Sequence, residues 1–226
     1  FSHANTHYYR LGVIYLLSQH HQLGIELNGV VMRPKSDESK GNLSIQDANN
    51  IYKGIYSSTY YSPSDFMNVA FSYNWNFDKQ NSNLKLLENW NHKKMYSDNQ
   101  LDAIYPEYAN GNVKEDNTNS SNANNWSTTI DFTKKFKTGW SFVSGGRIIV
   151  SIRNSDFYSW DRLNKLNDET HWKYKENIGA AYVGIAKSFS KHWYINLNVR
   201  GEYTDVTGTY PEQAARNISK HYTDWF

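Results

Sequence analysis

The sequence predicts an all-β fold, an antiparallel up-and-down meander of about nine to ten strands that is a partial transmembrane β-barrel, part of a larger one. Apolar and polar residues alternate over long stretches, and a period of two indicates strands rather than helices. The apolar content is aromatic, with 18 Tyr, 10 Phe and 8 Trp in 226 residues. Short and long connections also alternate, as they do when all tight turns lie at one end of a meander.

The clearest predicted strand covers residues 193–204, with the sequence WYINLNVRGEYT. One face of this strand is expected to carry Trp193, Ile195, Leu197, Val199, Gly201 and Tyr203. The other face is expected to carry Tyr194, Asn196, Asn198, Arg200, Glu202 and Thr204. Similar alternation predicts strands at 8–17, 23–31, 66–77, 84–95, 126–132 and 140–153. In all, we expect nine strands and the start of a tenth at 222–226.

The connections at one end of the meander are predicted to be short, and those at the other end are predicted to be long. Tight turns are expected at 19–21, 78–82, 137–139 and 190–192. Long loops are expected at 33–64, 96–124, 154–171 and 205–220. The stretch NIYKGIYSSTYY could be a strand of its own, but parity assigns it to the first long loop or to an extension of the next strand above the membrane. Residues 115–125, EDNTNSSNANN, are nearly of low complexity and are expected to be mobile.

Two architectures fit alternating antiparallel strands. A soluble sandwich, here a carbohydrate-binding β-domain, would turn its apolar residues toward a protein core. A membrane barrel would turn them toward lipid and would turn its polar residues toward a lumen. Three features favour the barrel. Aromatic residues lie near the strand ends, the strands have about 10 to 13 residues, and the long loops all lie at one end of the meander. In the barrel, Arg200 and Glu202 face the lumen.

Composition and motifs argue against several other functions. A net charge of +2 gives no basic field for nucleic acid. The chain has no cysteine, and its eight histidines form no pair with metal-ligand spacing. Catalytic and phosphate-binding motifs are absent from the sequence, so we expect no enzyme activity, no cofactor and no metal.

The C-terminal part carries a family resemblance. In the block from 172 to 208, Tyr174 and Glu176 precede an Ala180-x-Tyr182 strand. The following strand supplies Arg200, Glu202 and Thr204, and the last one Tyr222 and Phe226. This pattern resembles the barrel of TonB-dependent outer-membrane receptors of the Bacteroidetes type, the outer-membrane β-barrel family. Asn198, Val199 and Gly201 depart from the Gly, Leu and Tyr of that family.

The resemblance implies a Gram-negative outer-membrane receptor that takes up a scarce nutrient, such as a siderophore or a glycan. Such a barrel has about 22 strands and an N-terminal plug domain. Residues 1–226 are therefore expected to be one segment of the barrel domain, with the plug domain absent from it. The expected partners are outer-membrane lipid, the small nutrient ligand, a surface lipoprotein, and TonB through the plug.

Two groups of residues are candidate sites. Phe157, Tyr158, Trp160, Asp161 and Arg162 combine aromatic rings with hydrogen-bonding groups in an extracellular loop, which suits contact with a sugar or siderophore. Aromatic anchoring at the membrane boundary is the favoured alternative for this group. Arg147, Glu176, Arg200 and Glu202 are expected to face the lumen, where they brace the wall or contact the plug rather than bind the ligand.

Overall fold

The computed structural model describes residues 4–47, 50–189 and 193–226, which form an antiparallel all-β sheet. The strands are β1 (Ala4–Leu16), β2 (His21–Pro34), β3 (Asp37–Asp47), β4 (Asn50–Tyr61), β5 (Ser64–Asn76), β6 (Asn83–Ile104), β7 (Val113–Lys135), β8 (Trp140–Asp161), β9 (Leu166–Ser188), β10 (Tyr194–Thr209) and β11 (Ile218–Trp225). Two single-turn 3₁₀ helices, Ala109–Gly111 and Ala214–Arg216, lie in connections. No helix in these three ranges is long and apolar enough to span a membrane.

Nine of the strands form one continuous path, β1-β2-β5-β6-β7-β8-β9-β10-β11. The path does not close on itself in the described part of the chain, as expected for part of a barrel. The alternative of a sandwich with two stacked sheets is wrong, because all strands belong to one sheet. The described residues form eleven strands, more than the nine and the start of a tenth expected, because the connection after β2 forms a hairpin of its own, β3–β4.

The β3–β4 hairpin extends the sheet beyond one end of β5. β5 pairs with the first half of β6, from Asn83 to Met95. β4 pairs with the second half of β6, up to Ile104. The stretch NIYKGIYSSTYY is therefore a strand of its own, and its assignment to the long loop or to an extension of the next strand was wrong.

The register gives the whole sheet one apolar and one polar face. Residues directly opposite each other in antiparallel strands lie on the same face. One such row crosses all nine strands and contains Tyr15, Leu23, Tyr73, Leu86, Ile130, Gly146, Ala181, Gly201 and Trp225. A row on the opposite face contains Arg10, Asn28, Asn68, Asn91, Asn125, Ser151, Glu176, Val206 and Lys220. The apolar positions of neighbouring strands thus lie on the same face of the sheet, and so do the polar positions.

The long connections are mostly tall hairpins rather than loops. β6 and β7 remain paired up to Ala103 and Val113, and β8 and β9 up to Asp161 and Leu166. Residues 115–125, expected to be mobile, lie in β7 and pair with strands on both sides. That expectation was wrong, because hydrogen-bonded ladders to β6 and β8 hold the backbone of this stretch on both sides.

The tight turns are held by local polar contacts. In the turn after β5, the Asp78 carboxylate accepts backbone N–H bonds from Gln80 and Ser82, both at 2.9 Å. Lys134 Nζ lies 2.7 Å from the other Asp78 oxygen. The bonds from Lys134 and the turn hold the pKa of Asp78 well below its usual range. The predicted turn at 190–192 lies outside the described residues.

Candidate functional site

The polar face carries a row of four asparagines on neighbouring strands. Asn28, Asn68, Asn91 and Asn125 lie directly opposite one another on β2, β5, β6 and β7. Asn28 donates to Glu26 Oε1 at 2.8 Å, and Glu26 also accepts a 2.7 Å bond from Arg10. A carboxamide both donates and accepts hydrogen bonds, so this row suits hydroxyl and amide groups of a partner.

A cavity of about 630 Å³ opens beside this row. Its floor is formed by small residues, Gly12, Gly24 and Ala70. Arg10 and Asn68 are among its polar walls. The polar face is therefore both concave and rich in hydrogen-bonding groups at this place.

Three strands combine in a second polar feature around Gly145. Asp131 on β7, Gly145 on β8 and Tyr182 on β9 lie in one row. The Tyr182 hydroxyl donates a short hydrogen bond to the Asp131 carboxylate across Gly145. A Cβ at position 145 would lie 2.4 Å from that hydroxyl oxygen, so the contact requires glycine. The arrangement fixes three strands to one another on the polar face.

The four charged residues predicted to face the lumen all lie on this polar face. Arg200 and Glu202 form an ion pair at 2.5 Å. Arg147 lies in the same row as Glu202, with Ala180 between them, and Glu176 lies in the row of asparagines. Among the residues described, Arg147 and Glu176 form no ion pair. The structure therefore brings Arg200 and Glu202 into contact, whereas Arg147 and Glu176 do not join this ion pair.

A sequence model of the outer membrane protein beta-barrel family matches residues 75–226, two thirds of the chain. The chain belongs to this outer-membrane β-barrel family. It is thus located in the outer membrane of Gram-negative bacteria. In a barrel of this family the apolar face meets lipid and the polar face meets the lumen. The rows on the polar face are therefore lumen-facing.

Solved structures share this fold. The ferric citrate transporter FecA in its unliganded form has a TM-score of 0.50 and 8% identity, over 99% of this chain and 38% of its own. The ferric preacinetobactin receptor BauA from Acinetobacter baumannii has a TM-score of 0.53 and 7% identity, over 98% and 42%. The chain thus spans about two fifths of each protein. No curated protein matches its sequence.

In this family barrel, the group of candidate ligand contacts lies at the tip of the β8–β9 hairpin. The group is split between the two faces of the strand. Phe157 has the lumen-facing parity of β8, whereas Tyr158 and Trp160 have the outward parity. Asp161 accepts backbone N–H bonds from Leu163 and Asn164 at 2.9 and 3.1 Å. Asp161 thereby stabilises the turn, and its pKa is lowered, first by the Asn164 side chain.

Arg162 is held by acidic residues of the neighbouring hairpin. Its Nη2 forms a close ion pair with Asp102 of β6, and its Nε lies 3.1 Å from Asp116 of β7. Its backbone N–H donates to Lys114 O at 2.8 Å. These contacts join the tips of the β6–β7 and β8–β9 hairpins, so the guanidinium has a structural role. The use of the five-residue group in ligand binding stays a prediction.

The sequence contains a repeated turn that composition and alternation did not reveal. YPEYANGN at 105–112 and YPEQAARN at 210–217 share a Tyr-Pro-Glu-x-Ala-x-x-Asn pattern. In both, the terminal Asn accepts a bond from the backbone N–H of the Tyr, at 2.6 Å in the first and 2.8 Å in the second. Each copy includes one of the 3₁₀ turns. A search for internal repeats would have found this signal.

A histidine with acidic neighbours lies near the second of these turns. His171 Nδ1 lies 2.8 Å from Asp156 Oδ1, and its Nε2 lies 3.2 Å from Glu169 Oε1. Glu212 of the turn lies 3.7 Å from the same Nε2. The bond to Asp156 raises the pKa of His171. No group in the described ranges has the arrangement of a metal site, and His3 and His192 lie outside those ranges.

Proposed function

We propose that the chain forms part of the wall of a TonB-dependent transporter that takes up a scarce nutrient across the outer membrane. The observation that carries this proposal is the wall itself. Nine strands share one apolar outward face and one polar inward face. The family supports an outer-membrane barrel, and the fold is that of the two receptor structures. We infer that residues 1–226 are one segment of the barrel domain.

The lumen face supports passage or binding of a polar solute. Its asparagine row and the cavity of about 630 Å³ offer hydrogen-bonding groups to such a solute or to the plug. FecA is a transporter of ferric citrate, and BauA is a receptor for ferric preacinetobactin. By analogy, we infer a small nutrient ligand of the siderophore or glycan type. A binding and gating role uses no cofactor and no catalysis.

The partners follow from this role. Energy from the inner membrane would reach the barrel through TonB and a plug domain. A surface lipoprotein would deliver the ligand from outside. The four lumen-facing charged residues would then brace the wall or contact the plug, and the tip of the β8–β9 hairpin, with Phe157 on its lumen side, would meet the ligand first.

The test is a gene deletion in the source organism. Growth of the deletion strain is compared with that of wild type on single iron complexes and single glycans as limiting nutrients. We expect one nutrient to stop supporting growth, and a plasmid copy of the full-length gene to restore it. A second strain that lacks only TonB should show the same defect. Unchanged growth on every nutrient would argue against the transport role.

A further inference from the structure

A cluster of aromatic rings lies on the lumen side of the wall, toward the tips of the tall hairpins. The centre of the Trp172 ring on β9 lies 5.6 Å from that of Tyr174 and 6.4 Å from that of Tyr210. Gly208 of β10 lies directly opposite Tyr174, and a Cβ there would lie 3.5 Å from Trp172 Nε1. The indole therefore packs over the backbone of β10. Phe157 of β8, which is 40% exposed, lies on the same face in the next row toward the tips.

Uncharged polar side chains cover the neighbouring strands at the same height. Ser155 of β8 lies directly opposite Trp172, and Asn119 of β7 lies directly opposite Phe157. Ser155 Oγ donates a hydrogen bond to Asn119 Oδ1 at 3.1 Å. The amide N–H groups of Asn119, an exposed residue, have no partner in the described part of the chain. β7 and β9 are roughly 10 Å apart, a length that two linked sugar rings can span.

This part of the lumen face has no net charge. From the asparagine row to the hairpin tips, the lumen side of the nine strands on the main path carries four bases, Arg10, Lys93, Arg153 and Lys220, and four acids, Glu115, Asp161, Asp168 and Glu176. The β3–β4 hairpin adds only acids on this side, Asp37 and Asp47.

The balance of charge bears on the class of substrate. Iron complexes of citrate and of catechols are anionic, and a site that attracts an anion through its field needs an excess of positive charge. The described lumen face offers no such excess. Its amides and hydroxyls are instead matched to a solute that both donates and accepts hydrogen bonds without carrying charge.

We propose that this surface binds a neutral oligosaccharide, with one sugar ring stacked on Trp172 and its hydroxyls bonded by Asn119 and Ser155. The proposal rests on the transport function proposed above and names its substrate class. The C–H face of a pyranose ring is apolar and slightly positive, so it stacks on the negative face of an aromatic ring. The hydroxyls at the edge of the same ring would then lie over β8 and β7, where the polar side chains are.

The experiment uses the full-length receptor, purified in detergent, and isothermal titration calorimetry. The probes are neutral hexasaccharides of α-glucan, β-glucan, xylan, mannan and galactan, beside ferric citrate and a ferric tricatecholate complex. We expect at least one hexasaccharide to bind and both iron complexes to bind more weakly than it does. Binding of none of the hexasaccharides would overturn the proposal, and so would tighter binding of an iron complex.

Two pairs of variants test the site itself. Trp172→Ala should weaken binding of the hexasaccharide by about tenfold or more, whereas Trp172→Phe keeps a ring and should retain most of it. Trp160→Ala is the matched control, because Trp160 lies on the outward side of β8. Asn119→Asp has the same size but loses the amide donors, and it should weaken binding about tenfold. Asn122→Asp, on the outward side of β7, should bind as wild type.

The outcomes separate this proposal from the transport role. Equal affinity of Trp172→Ala and Trp160→Ala for the hexasaccharide would refute the site. A deletion strain that loses growth on an iron complex alone would keep the transport role and refute the sugar. A strain that grows normally on every nutrient, together with a purified receptor that binds the hexasaccharide through Trp172, would refute transport and leave the binding site in place.

Discussion

The strand β10 allows a direct test of which face meets lipid. Leu197 is 63% exposed on the apolar face, opposite Ile185 of β9. It lies four residues after Trp193 and six before Tyr203. At about 2.5 Å of height per residue in a tilted strand, Leu197 is roughly 10 Å above the lower aromatic residue and close to the middle of a band of about 25 Å.

Replacing Leu197 by Arg places a charge in this position. On the lipid face near the midplane, Arg costs roughly 2–4 kcal/mol. A tenfold change corresponds to about 1.4 kcal/mol, so the ratio of folded to unfolded protein should fall by about 25- to 700-fold. Asn198→Arg is the matched control. Its side chain would enter the wet lumen beside Arg200, and the change in stability should be small.

The assay is reversible unfolding of the full-length barrel in lipid vesicles, followed by tryptophan fluorescence. A soluble sheet would also tolerate Asn198→Arg better than Leu197→Arg, so spin labels are needed to identify the solvent. Labels at Ile195, Leu197 and Val199 should be accessible to oxygen, which partitions into lipid, and shielded from a water-soluble nickel complex. Labels at Asn198 should not show this pattern. Odd positions that oxygen cannot reach would refute the assignment of this face to lipid.

Three further outcomes are expected. Gly145→Val should abolish the hydrogen bond of Tyr182 and lower the stability of the barrel, whereas Gly146→Ala should be tolerated, as unfolding in urea would show. Asp78→Asn should lower the thermal midpoint at neutral pH. Its lowered native pKa means that wild type loses this advantage only as pH falls well below about 4. His171 should titrate above its usual value of about 6.5 in an NMR titration, and its stabilisation is complete below that pH and lost as pH rises through the raised pKa.

Each of these outcomes has its own control. Ser144→Val, on the lipid-facing side of β8, adds similar bulk away from the phenol and should not disturb it. Lys134→Gln should reproduce the effect of Asp78→Asn, and the double variant should be no worse than either single one. Asp156→Asn should return the pKa of His171 toward its usual value. A His171 pKa that does not respond to this change would contradict the contact between the two side chains.

The sequence alone determined which face each residue of the main strands takes. Side chains in a strand alternate with a period of two, so Leu197 and Asn198 must face opposite sides wherever the strand lies. Aromatic residues near strand ends indicated lipid on one side, and the match at Tyr174, Glu176 and Arg200 indicated the family. These signals are local or lie within two consecutive strands, and they could be read without coordinates.

Only the tertiary structure decided which side chains are in contact across strands. Asp131 and Tyr182 are 51 positions apart, and their bond depends on the register of three strands and on the absence of a side chain at Gly145. The pairing of Arg162 with Asp102 depends on how far two hairpins extend beyond the membrane. In water both faces of such a hairpin are polar, so residues 115–125 lack the apolar contrast that marks a strand. Register and hairpin height follow from the summed pairing of whole strands, which no single stretch of sequence encodes.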